Sequence, residues 1–395
     1  EYLTETAAKE AEFKSPVTGR PLVRRREKNY FFRLSKFQDK LLEHIRANPG
    51  FIRPEARRNE VLGRLKTDLQ DIPISRAVSS DPASQWGILM PDDPEHRIYV
   101  WIDALFNYLT VVDTGDRGRF WPATVHFIAK DILWFHAVIW PCLLMALGRD
   151  LPGSIYSHAY WVREGRKMSK SLGNFVTIEV LREYADKFTL DGLRWYLLTQ
   201  GPMSATDADF SHSKFVEVYN AELANGIGNS TSRVGNMIAK YFDGVVPEVD
   251  PAGYGEWPAT VKSAVERFES AIAVCDLPAA LSQGVDLVRK VDGYINDTQP
   301  FKLAKTVDAD PAAKGKLASI LYNCAEALRT ASLLIAPAAP QRMMQLWASW
   351  GCVPPPGVPL ADLAAFGGPF ALRYGSKVSK GEALFMRADP AEPAP

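Results

Sequence analysis

The sequence predicts a parallel α/β domain followed by an all-helical region. Two places, residues 98–102 and 125–129, read as a short strand running straight into an apolar helix. Strand–helix–strand–helix order marks a parallel sheet covered by helices. Past about Asp207 the strand signals stop, and stretches with apolar residues at three- and four-residue steps take over.

Taken in order, residues 1–30 are polar and turn-rich, with breakers at Ser15-Pro16 and Gly19-Arg20-Pro21. From Phe31 the spacing of Leu34, Phe37, Leu41 and Ile45 predicts a helix, and residues 59–69 predict another. Ile98-Tyr99-Val100-Trp101-Ile102 is β-prone, with a helix from Asp103; Val125-His126-Phe127-Ile128-Ala129 repeats the pattern. Ligands of parallel sheets bind at the strands' C-terminal ends, which is where this reading puts Trp101 and Lys130-Asp131. Residues 159–162 read as a further strand and Ile178 as a helix start. Helices follow over 216–242, 257–276, 278–296 and 312–346, joined by short connections as in a bundle.

Bulk composition excludes several classes. The 395 residues predict two or three domains. At 47% hydrophobic and 23% charged, the chain is neither disordered nor a repeat array. With 46 basic against 46 acidic residues, nucleic acid can be held only through local patches, for which Arg24, Arg25, Arg26 and Arg57, Arg58 are candidates. Cys142, Cys275, Cys324 and Cys352 form no C-x-x-C pair, which predicts neither a zinc site nor a disulfide framework in this chain and makes the reducing cytoplasm the default compartment. The uncharged run 132–148 carries His136 and Pro141 and falls short of the ~20 apolar residues a membrane span needs, so no membrane association is expected.

The strongest local signal is Arg166-Lys167-Met168-Ser169-Lys170-Ser171-Leu172-Gly173-Asn174. Two lysines and two hydroxyls in a Gly-flanked loop can clamp a polyphosphate, the ammonium groups acting as point charges and the loop N–H groups completing the cradle. Such a clamp stabilises charge that develops during nucleotidyl transfer.

The K-M-S-K-S run followed by L-G-N resembles the signature loop of class I aminoacyl-tRNA synthetases. Flanking segments are similar to the methionyl members: Tyr99-Val100-Trp101-Ile102-Asp103-Ala104-Leu105 with Tyr108, and Lys130-Asp131-Ile132-Leu133-Trp134-Phe135-His136-Ala137-Val138-Ile139-Trp140-Pro141. Asn29-Tyr30-Phe31-Phe32-Arg33-Leu34-Ser35 and Asp71-Ile72-Pro73-Ile74-Ser75-Arg76 look like that family's connective region, and residues 375–387 like its usual close. The resemblance runs from near residue 15 to near 388.

This resemblance implies the C-terminal half of a Rossmann-like catalytic domain and an all-α helical-bundle anticodon-binding domain. The boundaries would be 1–85 for connective region and helices, 86–160 for the half sheet, 161–210 for a stem-contact segment with the signature loop, 211–388 for the anticodon domain and 389–395 for a frayed tail. It implies methionine, ATP with Mg2+ and tRNA(Met) as partners, and a methionine–tRNA ligase activity. Lys170 and Lys167 would be catalytic, and Lys167, Ser169, Lys170, Ser171 and His158 would bind ATP. Trp101, Tyr108, Ile132, Phe135, His136 and Trp140 would wall the methionine site, with Asp131 receiving the substrate ammonium group. Thioether sulfur favours aromatic walls, at ~0.3–1.5 kcal/mol per contact. Phe135, His136 and Trp140 sit at i, i+1 and i+5 and would share one rim. Asn229 and Arg233, four apart on a helix, and Phe301, where relatives often carry Trp, would read anticodon bases by hydrogen bonding and stacking.

The chain also departs from the family. Ala129 and Ala159 replace common glycines where backbone approaches ATP, and none of the six histidines forms the H-x-G-H signature. The first residue is Glu1, not Met. We therefore expect an N-terminally truncated enzyme, poor at catalysis in isolation, with any zinc knuckle upstream; no dimerisation module follows the bundle, so a monomer is expected. Three other readings are open: a non-catalytic RNA-binding paralogue that kept the helical domain, a class I synthetase for another amino acid, and a generic nucleotide-binding α/β protein.

Overall fold

In the computed structural model the described residues are 5–15, 19–23, 27–78, 85–163, 165–169, 173–307, 310–378, 382–391 and 394. The Arg24, Arg25, Arg26 run, the segment around Pro16, and Lys170 and Ser171 of the signature loop lie outside them. The chain divides into two compact units, Glu1–Ser157 and His158–Pro395.

The first unit is built around a three-stranded sheet with His126–Ala129, Ile155–His158 and Ile52–Arg53 as neighbours, the last two parallel. The strand expected at 125–129 is present, and Lys130–Ile132 turns out of its end as a short 3-10 segment. A helical run follows, burying Leu133, Ala137, Val138, Trp140 and Leu144 against the sheet. Within it Phe135–Ile139 is a π-helical turn, in which Trp140 N–H bonds to the Phe135 carbonyl, ahead of the α-helix Trp140–Leu147. Pro141 explains this. It has no N–H for the Ala137 carbonyl, so the ladder slips by one residue just before it.

Residues 98–102 are not one strand. The strand Asp93–Ile98 stops where its antiparallel partner Ser75–Ala77 stops, with Ser75 opposite Ile98. Tyr99 then begins the helix Val100–Val112, whose Ile102, Leu105 and Leu109 are buried at helical spacing. Alternating Ile98, Val100 and Ile102 imitate a strand; the longer 3–4 period decides. Trp101 therefore sits in a first helical turn, not at a parallel strand's end. Phe31–Phe32 likewise forms a short strand against Ile72–Pro73 before the 3-10 turn Leu34–Phe37 and the helix Gln38–Ala47. The helix expected at 59–69 runs Glu55–Arg64, opening after Pro54.

The second unit opens on a small sheet in which Trp161–Arg163 pairs antiparallel with Arg166–Lys167 and parallel with Ala208–Asp209. The strand expected at 159–162 is interrupted: Ala159 lies outside it, donating its N–H to the Pro202 carbonyl. Helices dominate from Ile178 onward, the first capped by Thr177. The helix Leu277–Thr298 packs closely on Pro311–Ile335, Gly284 leaving room for Ile335. The stretch expected as one helix over 312–346 is two, Pro311–Ile335 and Pro340–Trp350, because Pro337 and Pro340 cannot continue the backbone ladder. A buried pair, Arg329 with Glu326 at 2.7 Å, ties this core to later chain through the Leu363 carbonyl and the Leu372 N–H. Asn220 does the same further on, exchanging two hydrogen bonds of 2.9 Å with the backbone of Ala388. Among the described residues no helix is long and apolar enough to cross a membrane.

Candidate active site

In the first unit the two strand-adjacent helices bring most of the expected pocket residues together. Trp101 and Tyr108, seven apart on one helix face, meet residues of the π-turn: Trp101 stacks on Phe135 with ring centroids 4.4 Å apart, and Tyr108 Oη lies 3.0 Å from His136 Nε2. His136 Nδ1 is 3.0 Å from the Ile132 carbonyl. A carbonyl only accepts, so Nδ1 carries the proton, and Nε2 accepts from the Tyr108 hydroxyl. Burial pushes the His136 pKa down, only partly opposed by the bond to Ile132, so the ring is neutral at pH 7. The site thus presents an uncharged imidazole inside an aromatic wall.

Trp101, Tyr108, Ile132 and Phe135 are half-buried, whereas Trp140 is wholly buried beneath Tyr108, with Phe106 and Trp121 beside it. In this conformation Trp140 supports the wall and does not line it. Asp131 stands exposed at the head of the helical run and makes no hydrogen bond or ion pair among the described residues. Its carboxylate is available. Ala129 takes an ordinary extended conformation (φ −81°, ψ 156°) that does not call for glycine.

Sequence reasoning missed His126. It is buried on the strand before Lys130, 4.3 Å ring to ring from Tyr108, and its Nε2 has no partner among the described residues. Burial and the neighbouring His136 push its pKa down to about 4. An alternating strand pattern contains the signal for its inward direction, since Ile128, two residues on, is buried on the same face.

In the second unit Arg166–Lys167 forms one arm of the signature loop, and the Lys167 side chain is exposed. Asn174 closes the loop: its Oδ1 accepts from the Ser169 N–H at 2.9 Å and its Nδ2 donates to the Lys167 carbonyl at 3.2 Å. Gly173, with φ +65°, makes the reversal that lets Asn174 reach back. Met168 packs against the unit's core and so anchors the loop from its middle. His158 Nδ1 donates to its neighbour's carbonyl, Ala159 O, at 2.7 Å.

Among the helices, the run His212–Gly228 is broken at Gly226 (φ −80°, ψ −114°), and a fresh helix starts at Asn229. Asn229 is exposed and Arg233 half-exposed on that helix. Ser230, between them, donates to Asp292 Oδ1 of the helix Leu277–Thr298 at 2.8 Å. That helix ends at Gln299 in a left-handed conformation, seven residues and about 10 Å further along. Phe301, 41% exposed, follows on the short helix Pro300–Leu303. No group of three or more His, Cys, Asp or Glu among the described residues is placed to hold a metal ion.

Comparison with known proteins decides the family. The family model described as tRNA synthetases class I (M) matches residues 6–235. The methionine–tRNA ligase of Streptomyces coelicolor is 39% identical over 385 residues, which is 95% of this chain and 69% of that protein. The chain belongs to the class I methionyl-tRNA synthetase family. The ligase of Caldanaerobacter subterraneus subsp. tengcongensis is 38% identical, again over 95% of this chain, which spans only 57% of that relative's length. Among solved structures, Mycobacterium tuberculosis methionyl-tRNA synthetase in complex with methionyl-adenylate superposes with a TM-score of 0.81 at 34% identity, covering 95% of this chain and 72% of that one. The architecture is accordingly that of a class I synthetase, with its parallel sheet and a mostly helical C-terminal part.

Proposed function

We propose that the protein is a methionine–tRNA ligase. The observation that carries this is the aromatic wall of the first unit, Trp101 on Phe135 and Tyr108 on a neutral His136, in a chain whose family includes a synthetase solved with methionyl-adenylate. An apolar, polarizable thioether suits such a wall, whereas a charged side chain would be desolvated without a partner. Asp131 receives the substrate ammonium group in a charge-assisted contact. The substrate carboxylate attacks the α-phosphorus of ATP, the bond to the β-phosphate breaks, and pyrophosphate leaves. Lys167 and Lys170, with Ser169 and Ser171, hold the departing phosphates, and His158 contacts the adenine side of ATP. Mg2+ enters with the nucleotide and neutralises phosphate charge. A terminal ribose hydroxyl of tRNA then attacks the adenylate carbonyl and releases AMP.

The helical region, 211–388, serves as the anticodon-binding domain. Asn229 and Arg233 offer amide and guanidinium donors to unstacked base edges, and Phe301 offers a ring face. Segment 161–210, with the signature loop, faces the acceptor stem. Methionine titration of the Trp101→Ala and Asp131→Ala variants tests the pocket: both lose methionine binding without unfolding the chain. Unchanged titration in either variant overturns the assignment of that residue, and in both variants the pocket itself.

A further inference from the structure

His96, in the first unit and outside the aromatic wall, sets both of its ring nitrogens against acceptors. It lies on the strand Asp93–Ile98, opposite Ala77 of the strand Ser75–Ala77. Its Nδ1 is 2.8 Å from Asp93 Oδ2, and its Nε2 is 2.9 Å from the carbonyl oxygen of Lys28. Carboxylate and carbonyl oxygens only accept, so both nitrogens donate, and an imidazole that donates twice carries a positive charge. Asp93 is ionised: it also accepts from the Tyr30 hydroxyl and from the Glu95 N–H, each at 3.0 Å. Desolvation pushes its carboxyl up, but these bonds and the one from His96 hold it below the ordinary range.

The other groups around the ring favour the charge. The bond to the Lys28 carbonyl raises the His96 pKa, desolvation pulls it back, and Asp93 and Glu95 raise it further. Tyr30 meets the ring edge-on at 5.4 Å, and Glu27 Oε1 accepts from the Ala77 N–H across the ladder at 2.8 Å. Arg76 and Arg97 alternate to the opposite face, where one lies over Tyr99 and the other donates to the Gly87 carbonyl. The third strand, Leu89–Met90, carries no charge.

We propose that His96 is a proton-operated latch that ties the Glu27–Tyr30 segment to the strand Asp93–Ile98. When the ring loses a proton, the carboxylate keeps the one on Nδ1, because the bond to an ionised acceptor is the stronger. Nε2 then turns a lone pair on the Lys28 carbonyl, and that tie fails. The segment is left with the bonds of Tyr30 N–H to Ser75 Oγ and of Ala77 N–H to Glu27, each 2.8 Å. Because the latched histidine has the raised pKa, the latch is complete below the ordinary 6.5 and is lost as pH rises through the raised value.

Amide hydrogen exchange in the full-length natural protein, corrected for the intrinsic acceleration with pH, tests the latch at Tyr30 and Ala77. Protection of these two amides falls by roughly fivefold or more between about pH 6 and about pH 9, while amides of the helix Trp140–Leu147 keep theirs. His96→Gln retains a donor and cannot titrate, so in this variant protection is the same at both pH values. Nitrogen NMR of the unsubstituted protein gives a readout that depends on no variant: both ring nitrogens of His96 carry protons at neutral pH. Wild-type protection that does not change with pH, a fall that persists in His96→Gln, or a neutral His96 ring at neutral pH each overturns the proposal.

Discussion

His136 owes its neutrality to burial and its tautomer to two neighbours, the Ile132 carbonyl one turn back and the Tyr108 hydroxyl across the pocket. Tyr108→Phe keeps the ring and strands Nε2 as a buried acceptor, which costs about 1–3 kcal/mol of stability; urea denaturation reads the loss, and an unshifted midpoint refutes the bond. His126 makes the site pH-sensitive in a stated direction. Its pKa of about 4 lies below the 6.5 of an ordinary histidine, so between these pH values the unfolded chain binds a proton that the folded chain does not. Stability is full above 6.5 and falls as pH falls toward 4, on the order of 2 kcal/mol from this one group. In His126→Asn that part of the slope disappears; an unchanged slope assigns it elsewhere. Phe301, 41% exposed, provides a third check. Phe301→Ala weakens tRNA binding by about 1–3 kcal/mol and leaves methionine activation unaltered, whereas equal loss of both contradicts the division of labour.

At the scale of elements, local chemistry and tertiary pairing divide what the sequence discloses. The strand at His126–Ala129 and the helix start at Ile178 are legible because β-branched and aromatic alternation, and a threonine cap, are local signals. The polar strand Asp93–Ile98 is not legible, since its pairing with Ser75–Ala77 and Leu89–Met90 holds it together and its own pattern does not. The π-turn at Phe135–Ile139 was hidden for another reason: Pro141 announces a missing donor, but not whether the backbone bends or slips. That slip alters the α-helical spacing from which a rim shared by Phe135, His136 and Trp140 is expected, and Trp140 is wholly buried. Asn174 is the element-scale discovery in the signature loop, holding both arms through its side-chain amide. Packing of the long helices depends on Gly284, where an added Cβ lies 2.7 Å from Ile335 Cγ1 and 3.1 Å from the Ala331 carbonyl. Gly284→Ala therefore destabilises the second unit by about 1–3 kcal/mol, although alanine is the better helix former by roughly 1 kcal/mol. Thermal unfolding with an unchanged or raised midpoint shows that the helices separate more easily than their contact implies.

For the whole molecule, zero formal charge and two compact units frame the proposed activity. The aromatic wall and the signature loop lie in different units, the wall within 1–157 and the loop within 158–395, so each can be tested by its own substitutions. With 46 basic and 46 acidic residues, a polyanion meets no net long-range attractive field, so any recognition of nucleic acid falls to local groups. Family membership was legible in the sequence because motif residues lie in short contiguous runs. The architecture beneath them was less so, because two of the three strands in the parallel sheet, Ile52–Arg53 and Ile155–His158, are short and lie about a hundred residues apart. The central claim is that this protein activates methionine. Exchange of labelled pyrophosphate into ATP by the full-length natural protein tests it most directly: label appears in ATP when methionine is supplied and not when leucine replaces it, whereas no exchange with methionine, or equal exchange with leucine, contradicts the account.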